Sequence, residues 1–344
     1  MIILTRPYHM RCFLIRMALV ASALLISSCF SACSRADNKP AVPPEKVTIA
    51  YSATTDAVLP EIAQSRGYYR EEGLEVVPHL HPYGKPALKE VLEGKADFAT
   101  VAETPVMFAI MNGEKISIIA TIQTSNKDNA IVARKDKGIR TLRDLKGKRI
   151  GATLGTTSDF FLDAILGVHR ISRKDVDVLD LKAEAMPDAL EHGDVDAIAT
   201  FNPYLIQAQR RLGARGITFL DEDIYTWTFN VVATQEFIRN NPGKVSKVLR
   251  SLVKAEKFVR EYPSEAQKIV ADFSGIDMGI VRDIWDTTTY SVTLDQSLVL
   301  AMEDETRWAL KDRLIAEKEV PNFLDFIYLD GLTSVKPDAV RILR

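Results

Sequence analysis

Cysteine is almost missing from this sequence. The three cysteines are Cys12, Cys29 and Cys33, and none follows up to residue 344. A disulfide framework therefore cannot hold the body of the chain together, and a metal site built from cysteine thiolates is excluded there. With 47% apolar and 26% charged residues, the composition instead indicates a globular chain that is long enough for two hydrophobic cores.

The sequence also lacks an excess of positive charge. Lys and Arg number 44 and Asp and Glu number 46, so the formal net charge is -2. A nucleic-acid-binding surface needs a basic excess or a basic stripe, and the sequence has neither. We therefore expect no nucleic-acid partner.

The apolar run near the N-terminus is too short for an ordinary transmembrane helix. Residues 17–26 are apolar or small, and a helix of that length rises about 15 Å, half the thickness of a bilayer core. The run follows Arg11 and Arg16 and precedes a stretch of small residues. This order predicts a secretion signal.

A small residue stands before Cys29 and before Cys33. This pattern resembles a bacterial lipoprotein signal, which implies a signal peptide over 1–28 or 1–32 and a lipid on Cys29 or Cys33. The alternative is a cleaved signal in which both cysteines are incidental. Residues 29–45 are rich in proline toward their end and predict an extended tether, which would hold the body at the membrane of the cell envelope, on its periplasmic or extracytoplasmic face.

From Lys46 onward, short strand patterns alternate with helix patterns, as in VTIAY (47–51) and LPEIAQSRGYY (59–69). This alternation predicts an α/β fold with crossover connections. Beyond Glu236 the pattern is helical throughout. We expect that tail to pack on the first lobe, without contact to a ligand.

One unit of sequence occurs twice, at residues 92–105 and 190–203. Each copy has a helix ended by glycine, a short apolar strand, a polar residue, and a proline that opens the next helix. The repetition predicts two similar α/β lobes. Because ligands of open α/β sheets bind beyond the carboxyl ends of the strands, two such edges facing each other would form a binding cleft.

Polar residues stand where these strands lead into helices. Thr104 and Asn202 are predicted to be N-caps, each with a proline at the first helical position. Residues 52–56 and 155–158 form two more such starts. The free N–H groups and hydroxyls of these starts can hold an oxyanion without Lys or Arg, or the side chains only cap their helices.

Four segments carry a resemblance to a known family: 67–76 (GYYREEGLEV), 103–105 (ETP), 142–151 (LRDLKGKRIG) and 194–204 (DVDAIATFNPY). In this order they resemble the periplasmic solute-binding proteins of ABC importers of the nitrate, sulfonate and taurine type, which include binders of pyrimidine precursors. The resemblance covers roughly residues 46–270.

The resemblance implies a type II periplasmic binding protein, in which two α/β lobes are joined by two crossover strands. The crossover strands map to 129–136 and 228–235. Lobe 1 would be 46–128 plus 236–344, and lobe 2 would be 137–227. The implied function is capture of a small polar organic solute, sulfonate-, taurine- or aminopyrimidine-like, by closure of the lobes, with ABC permease subunits as partners. We expect a monomer with no cofactor and no metal.

Carried over position by position, the resemblance implies a set of ligand contacts on the strand ends and helix starts. These are Thr54, Thr55, Asp56, Glu103, Thr104, Gln123, Thr156, Thr157, Ser158, Asn202 and Trp227. Asp56 and Glu103 would repel a bare anion. They either cap or pair structurally, or they bind an amine or ring N–H, in which case an amino-bearing or heteroaromatic solute is favoured. Trp227 is either a stacking wall or part of the core.

Catalytic motifs give no support for an enzyme. The sequence has no Gly-x-Ser-x-Gly and no P-loop. His79 and His81 share one face of a strand, either as a weak metal pair without a third ligand or as a solvated face. We therefore predict no catalytic and no metal-ligating residue. Two alternatives to transport stay open: a sensory protein that addresses a receptor kinase, and an exported enzyme on the same fold.

Overall fold

The computed structural model describes residues 43–343. The strands are β1 (Glu45–Ser52), β2 (Leu74–His81), β3 (Phe98–Ala102), β4 (Ile116–Ser125), β5 (Asn129–Arg134), β6 (Arg149–Ala152), β7 (Asp177–Asp180), β8 (Ala197–Phe201), β9 (Gly216–Phe219), β10 (Trp227–Thr234), β11 (Thr289–Asp295) and β12 (Val340–Arg341). The α-helices are α1 (Val58–Ser65), α2 (Tyr68–Glu71), α3 (Gly84–Leu92), α4 (Glu103–Met111), α5 (Thr157–Val168), α6 (Met186–His192), α7 (Tyr204–Leu212), α8 (Gln235–Asn240), α9 (Pro242–Glu261), α10 (Pro263–Ser274), α11 (Met278–Trp285), α12 (Gln296–Lys311) and α13 (Leu329–Val335).

The first sheet has seven strands in the order β12-β11-β4-β10-β3-β1-β2. β1 pairs in parallel with β2 and β3, whereas β10 pairs antiparallel to both β3 and β4. Every residue of β3 is buried, as expected for a strand with helices on both faces. We refer to this sheet and its helices as lobe 1.

The second sheet has five strands in the order β7-β6-β8-β5-β9. β6 pairs in parallel with β7 and β8, and β5 pairs antiparallel to β8 and β9. We refer to this sheet, with α5, α6 and α7, as lobe 2. The chain enters lobe 2 once, between β4 and β5, and leaves it once, between β9 and β10.

The two segments that connect the sheets are residues 126–128 and 220–226. The strands predicted to join the lobes each lie within one sheet: β5 belongs to lobe 2 and β10 to lobe 1. Both connections lie beside the carboxyl ends of β3 and β8, which brings the duplicated strand ends of the two lobes together.

A glycine allows helix α3 to approach the sheet at this edge. A Cβ on Gly84 would lie 2.8 Å from the Cα of Val101 on β3, too close for any other residue without a backbone shift. The helix therefore begins directly against the strand, and its first turn reaches the cleft between the lobes.

The predicted α/β class with two lobes is confirmed, but two local predictions are wrong. The tail is not helical throughout, because β11 and β12 extend the sheet of lobe 1. Thr104 and Asn202 are not N-caps: α4 starts at Glu103, two residues before Pro105, with Ala102 as its cap, and α7 starts at Tyr204 with Pro203 as its cap. Glu103 takes the first helical position of α4, where an acidic residue is favoured, and the Asn202 backbone N–H donates to the Asp128 carbonyl at 3.2 Å ahead of α7.

The predicted signal peptide over 1–28 or 1–32, the lipidation sites Cys29 and Cys33, and most of the tether 29–45 lie outside the described residues. Strand β1 already begins at Glu45. None of the helices within residues 43–343 is both long and apolar enough to cross a bilayer.

Candidate functional site

A small cavity lies where the two lobes face each other. We call it the inner cavity, and its free volume is about 20 Å³, enough for roughly one water molecule. Its lining comes from both lobes and consists of Asp56, Tyr83, Gly84, Lys85, Ala102, Pro105, Thr156, Thr157, Phe201, Trp227 and Phe229.

The inner cavity brings together four of the eleven predicted contact residues, Asp56, Thr156, Thr157 and Trp227. Trp227 stacks on Phe229 with a ring separation of 5.4 Å and forms one aromatic wall. The other predicted residues are buried but do not line this cavity: Thr54, Thr55, Glu103, Thr104, Gln123, Ser158 and Asn202.

Asp56 is the carboxylate that lines the inner cavity. Its Oδ2 accepts a hydrogen bond of 2.8 Å from the Thr54 hydroxyl, whereas its Oδ1 has no hydrogen-bond partner within the described chain. Burial raises the pKa of Asp56 to about 7, against the lowering effect of Thr54. Thr55 presents its carbonyl oxygen to the Gln123 amide at 3.0 Å, which links the start of α1 to β4.

Glu61 is a second buried acid, on helix α1. It is fully buried and neither of its carboxylate oxygens has a partner among the described residues. Burial raises the pKa of Glu61 well above its usual value, and the charge of Asp56 adds to this shift. Each of these two carboxyls therefore makes ionisation of the other more costly.

Glu103 fastens the start of α4 to strand β10. Its Oε2 accepts hydrogen bonds from the Thr228 amide at 2.9 Å and from the Thr228 hydroxyl at 2.8 Å. Burial nevertheless raises the pKa of Glu103 to about 7.

Glu305 on α12 is the neighbour of Glu103. Its Oε1 accepts a hydrogen bond of 2.5 Å from Thr104 and one of 3.2 Å from Tyr225. Burial, and then the charge of Glu103, raise the pKa of Glu305 well above its usual value. The tail of the chain, expected to stand apart from the site, thus takes part in its hydrogen bonds.

Asp128 lies in the first segment between the lobes. Burial raises the pKa of Asp128 well above its usual value, the charge of Asp56 raises it further, and hydrogen bonds from Asn202 oppose this. The adjacent Asn129 is buried. Within the described residues, neither the Nδ2 nor the Oδ1 atom of its side chain has a hydrogen-bond partner. The connection between the lobes therefore carries unsatisfied polar groups.

The hydroxyls at the start of α5 are used within their own turn. Thr156 donates to the Thr153 carbonyl at 2.7 Å, and Ser158 lies 3.1 Å from the Thr156 hydroxyl. The amide of Gly155 donates to Asp159 Oδ2 at 2.9 Å. The first turn of this helix is thus complemented by its own aspartate.

Hydrogen bonds cross the cleft on both sides of the inner cavity. Lys85 of lobe 1 donates to the Leu154 carbonyl of lobe 2 at 2.6 Å. In the opposite direction, the Tyr204 hydroxyl of lobe 2 donates to the Pro82 carbonyl of lobe 1 at 2.8 Å. Because each bond spans the cleft, the arrangement is that of a closed pair of lobes.

Two further cross-lobe contacts lie away from the cavity. The Trp308 indole of α12 donates to Asp163 Oδ2 of α5 at 2.7 Å. Arg210 of α7 forms ion pairs with Asp277 at 3.0 Å and with Asp283 at 2.8 Å. Both contacts join helices of lobe 2 to the C-terminal part of lobe 1.

A wider groove adjoins the inner cavity and shares Tyr83, Lys85 and Pro105 with it. It has a volume of about 650 Å³ and is walled mainly by apolar side chains, among them Phe108 and Leu314. The groove gives the cleft an opening that is large enough for a small organic molecule.

The two histidines of β2 contact a carboxylate instead of a cleft ligand. His79 Nδ1 lies 2.7 Å from Glu90 Oε2, and His81 Nε2 lies 3.4 Å from Glu90 Oε1. Across residues 43–343 no group of three or more metal-ligating side chains is found.

Several residues of the site were missed by the sequence analysis. Tyr83 and Phe201 also line the inner cavity, with a ring separation of 6.4 Å. Phe201 ends a duplicated strand, which is a signal that could have identified it. The buried acids Glu61 and Glu305 lie within ordinary amphipathic helices, and the sequence gives no such signal for them.

Comparisons with known proteins were made for sequence and for fold. A family model described as NMT1/THI5 like matches residues 60–266. The chain is 25% identical over 318 residues to the "Putative aliphatic sulfonates-binding protein" of Bacillus subtilis (strain 168), which covers 90% of this chain and 94% of the relative.

Two solved structures share the fold. The alkanesulfonate-binding protein SsuA from Xanthomonas axonopodis pv. citri, bound to MOPS, has a TM-score of 0.72 at 19% identity, covering 84% of this chain and 99% of that protein. The periplasmic nitrate-binding protein NrtA from Synechocystis PCC 6803 also has a TM-score of 0.72, at 12% identity, covering 86% and 89%. The fold is therefore that of a periplasmic binding protein.

Proposed function

The chain belongs to the NMT1/THI5-like family, and from this premise we propose that it is the solute-binding component of an ABC importer. The observation that carries the proposal is the pair of hydrogen bonds across the cleft, from Lys85 to Leu154 and from Tyr204 to Pro82. They join two lobes around a cavity lined from both sides, which is the arrangement that capture by closure requires.

In this function a solute enters the open cleft and contacts both lobes. Because the solute binds the closed form more tightly than the open form, binding stabilises the closed form. The cross-lobe hydrogen bonds add to that preference. ABC permease subunits are the partners that recognise the closed form. The names of the Bacillus relative and of the two solved structures support a small solute, and we propose a sulfonate-, taurine- or aminopyrimidine-like compound as the range to test.

We place the protein at the cell envelope, held on its periplasmic or extracytoplasmic face by a lipid on Cys29 or Cys33 and acting as a monomer. The support is the N-terminal signal pattern together with the periplasmic location named for NrtA. Mass spectrometry of the mature N-terminal peptide would distinguish the two cysteines.

We further propose that the site binds its solute without transforming it. The described body contains no cysteine nucleophile, and His79 and His81 are engaged with Glu90 on β2. Asp56 and Glu103 accept hydrogen bonds from the hydroxyls of Thr54 and Thr228.

Native mass spectrometry and small-angle X-ray scattering test solute capture together. The purified full-length chain is incubated with a small-molecule extract of bacterial cells and then dialysed. We expect one retained solute per chain and a smaller radius of gyration. The variant Tyr204→Phe, which removes the donor to Pro82, should retain the solute several-fold less well.

Tyr262→Phe is the matched control, because Tyr262 is exposed between α9 and α10. It should behave as the parent chain does. If neither a retained mass nor a change in scattering is found with the parent chain, the proposed function is wrong.

A further inference from the structure

We propose that the inner cavity selects its solute by a positively charged nitrogen, an ammonium or amidinium group, and rejects sulfonates and nitrate. The inference rests on the proposed solute-binding function and concerns the charge of the solute. It differs from what the names of the sulfonate- and nitrate-binding relatives suggest, and it follows from three features of this chain.

The first feature is a group of five buried carboxyls around the cleft. They are at most 3% exposed: Asp56, Glu61, Glu103, Asp128 and Glu305. Asp56, Glu61 and Asp128 each keep an oxygen without a hydrogen-bond partner among the described residues, whereas Glu103 and Glu305 contact each other. Of these, Asp56 lines the inner cavity itself. A sulfonate placed beside Asp56 would meet a like charge in a medium of low dielectric constant, whereas an ammonium group would pair with the free Oδ1.

The second feature is that carboxylates of the chain itself stand at or near the starts of the helices at the cleft. Glu103 stands at the first residue of α4 and accepts a hydrogen bond from its own backbone, and Asp159 accepts one from Gly155 at the start of α5. Asp56 stands two residues before α1. Helix N-termini attract anions through free N–H groups and the helix dipole, and at the starts of α4 and α5 carboxylates of the chain already accept backbone hydrogen bonds.

The basic side chains at the cleft do not offset the negative charge of these carboxylates. Lys85 is exposed at the rim, and its ammonium group donates to the Leu154 carbonyl. Arg173, in the wider groove, is paired with Asp159 and Asp163 at 2.8 Å each. In the described chain, the charged groups that act on Glu61 and Asp128 are other carboxylates.

The third feature is a set of aromatic side chains around the same cavity. Tyr83 and Phe201 approach each other from the two lobes at a ring separation of 6.4 Å, and Trp227 stacks with Phe229 at 5.4 Å. Aromatic faces beside a carboxylate recognise cationic nitrogen, because the ring quadrupole and the carboxylate both attract positive charge. Asp56 and the four rings of the inner cavity thus point to the same kind of solute.

Thermal unfolding with five compounds that share a phenyl ring tests the charge directly. The probes are benzamidine, phenyltrimethylammonium, benzamide, benzoate and benzenesulfonate, each added to the full-length chain at equal concentration. We expect the two cations to raise the melting temperature, and the neutral and anionic compounds to leave it unchanged.

The effect of the cations should be larger at pH 8.5 than at pH 5.5, because Asp56, with a pKa of about 7, is ionised only at the higher value. Other titratable groups interact with Asp56 or line its cavity: Glu61, Asp128, Tyr204, Tyr290, Tyr83 and Lys85. Two of these, Glu61 and Asp128, are carboxyls, whose charge changes with pH in the same direction as that of Asp56. The tyrosines keep their protons over this interval, because burial raises the pKa of each above its ordinary value near 10.

Asp56→Asn should weaken benzamidine binding by about tenfold or more, while Asp272→Asn, an exposed aspartate on α10, should leave it unchanged. Phe201→Leu keeps an apolar side chain but removes the ring, so it should lower the affinity for phenyltrimethylammonium even if Asp56→Asn does not fold.

Stabilisation by benzoate and benzenesulfonate, with no effect of the cations, would overturn the charge assignment and leave solute capture standing. No response to any of the five compounds would also overturn it, and the extract experiment then decides separately whether the chain binds a solute at all.

Discussion

Burial of the single carboxyl of Asp56 at the site lowers the free energy of unfolding of this protein when that carboxyl is ionised. A carboxyl whose pKa is raised on folding keeps its proton longer in the native state than in the unfolded one. The free energy of unfolding therefore falls as the pH rises from the unfolded pKa, near 4, to the folded pKa, and stays lower above it. For Asp56 that interval ends at about pH 7.

Asp56→Asn is expected to raise the free energy of unfolding at pH 8 in the absence of added solute. The amide removes the buried charge and can still accept the hydrogen bond from Thr54. The gain is at most about 4 kcal/mol, from roughly three pKa units at 1.36 kcal/mol each. Urea unfolding at pH 8 and at pH 4 measures it, and the difference between variant and parent should vanish at pH 4.

Asp272→Asn again provides the control and should change the stability little at either pH. An Asp56→Asn variant that is less stable than the parent at pH 8 would show that the carboxylate has a stabilising partner, contrary to the unpaired Oδ1.

Helix α5 shows at the scale of an element how lobe 2 keeps buried charge in balance. Asp159 and Asp163 lie on successive turns of this helix, and their side chains are only 4% and 7% exposed. Arg173 lies between them and pairs with both. Burial still raises the pKa of Asp163, so the arginine only partly compensates for lost solvation.

Arg173→Met is expected to destabilise the chain by about 3–5 kcal/mol, because it leaves two buried carboxylates without their cation. Chemical unfolding measures the loss. Arg170→Met is the control, since Arg170 is exposed in the adjacent turn and should cost little. Equal losses in the two variants would contradict a specific role for the ion pairs of Arg173.

The repeated strand and helix units could be predicted from sequence because their signals are local. Gly94 and Gly193 adopt the left-handed conformation at the ends of their helices, and apolar strands follow them. Strand β11 was missed because it lies among helices and its partner β4 is far away along the chain. Only the assembled sheet makes TYSVTLD a strand.

The residues of the site likewise differ in whether the sequence could predict them. Asp56, Thr156 and Thr157 lie between strand ends and the starts of the following helices, where the rule for open sheets places ligands, and all three line the inner cavity. Glu61 looks like a surface residue of α1, and it is buried because α9 and α10 cover that helix. Such acids could not be predicted, since their environment is made by distant helices.

For the whole molecule, the contacts between the lobes decide how far the closed form is favoured. Those at the cavity are single hydrogen bonds, and Arg210 adds two ion pairs between α7 and the C-terminal helices. Its side chain is 45% exposed, so each pair contributes little on its own, roughly 0–1 kcal/mol.

Arg210→Ala is expected to shift the lobes toward the open form, with an increase of a few-fold in the open population, because it removes both ion pairs across the lobes. Distances between fluorophores on the two lobes measure the shift. Arg211→Ala is the matched control: Arg211 pairs with Asp188 inside lobe 2 and has similar exposure. A similar shift in both variants would contradict the role assigned to Arg210.

The two sheets use the chain differently, and this sets an order of assembly during synthesis. The five-stranded sheet is drawn from one uninterrupted stretch between β5 and β9, whereas the seven-stranded sheet needs β10, β11 and β12 from beyond it. A nascent chain can complete lobe 2 while β3 still lacks its neighbour β10. The half-built sheet then exposes an unpaired strand edge, so the interval before the last third of the chain emerges is when a holdase chaperone has most to protect.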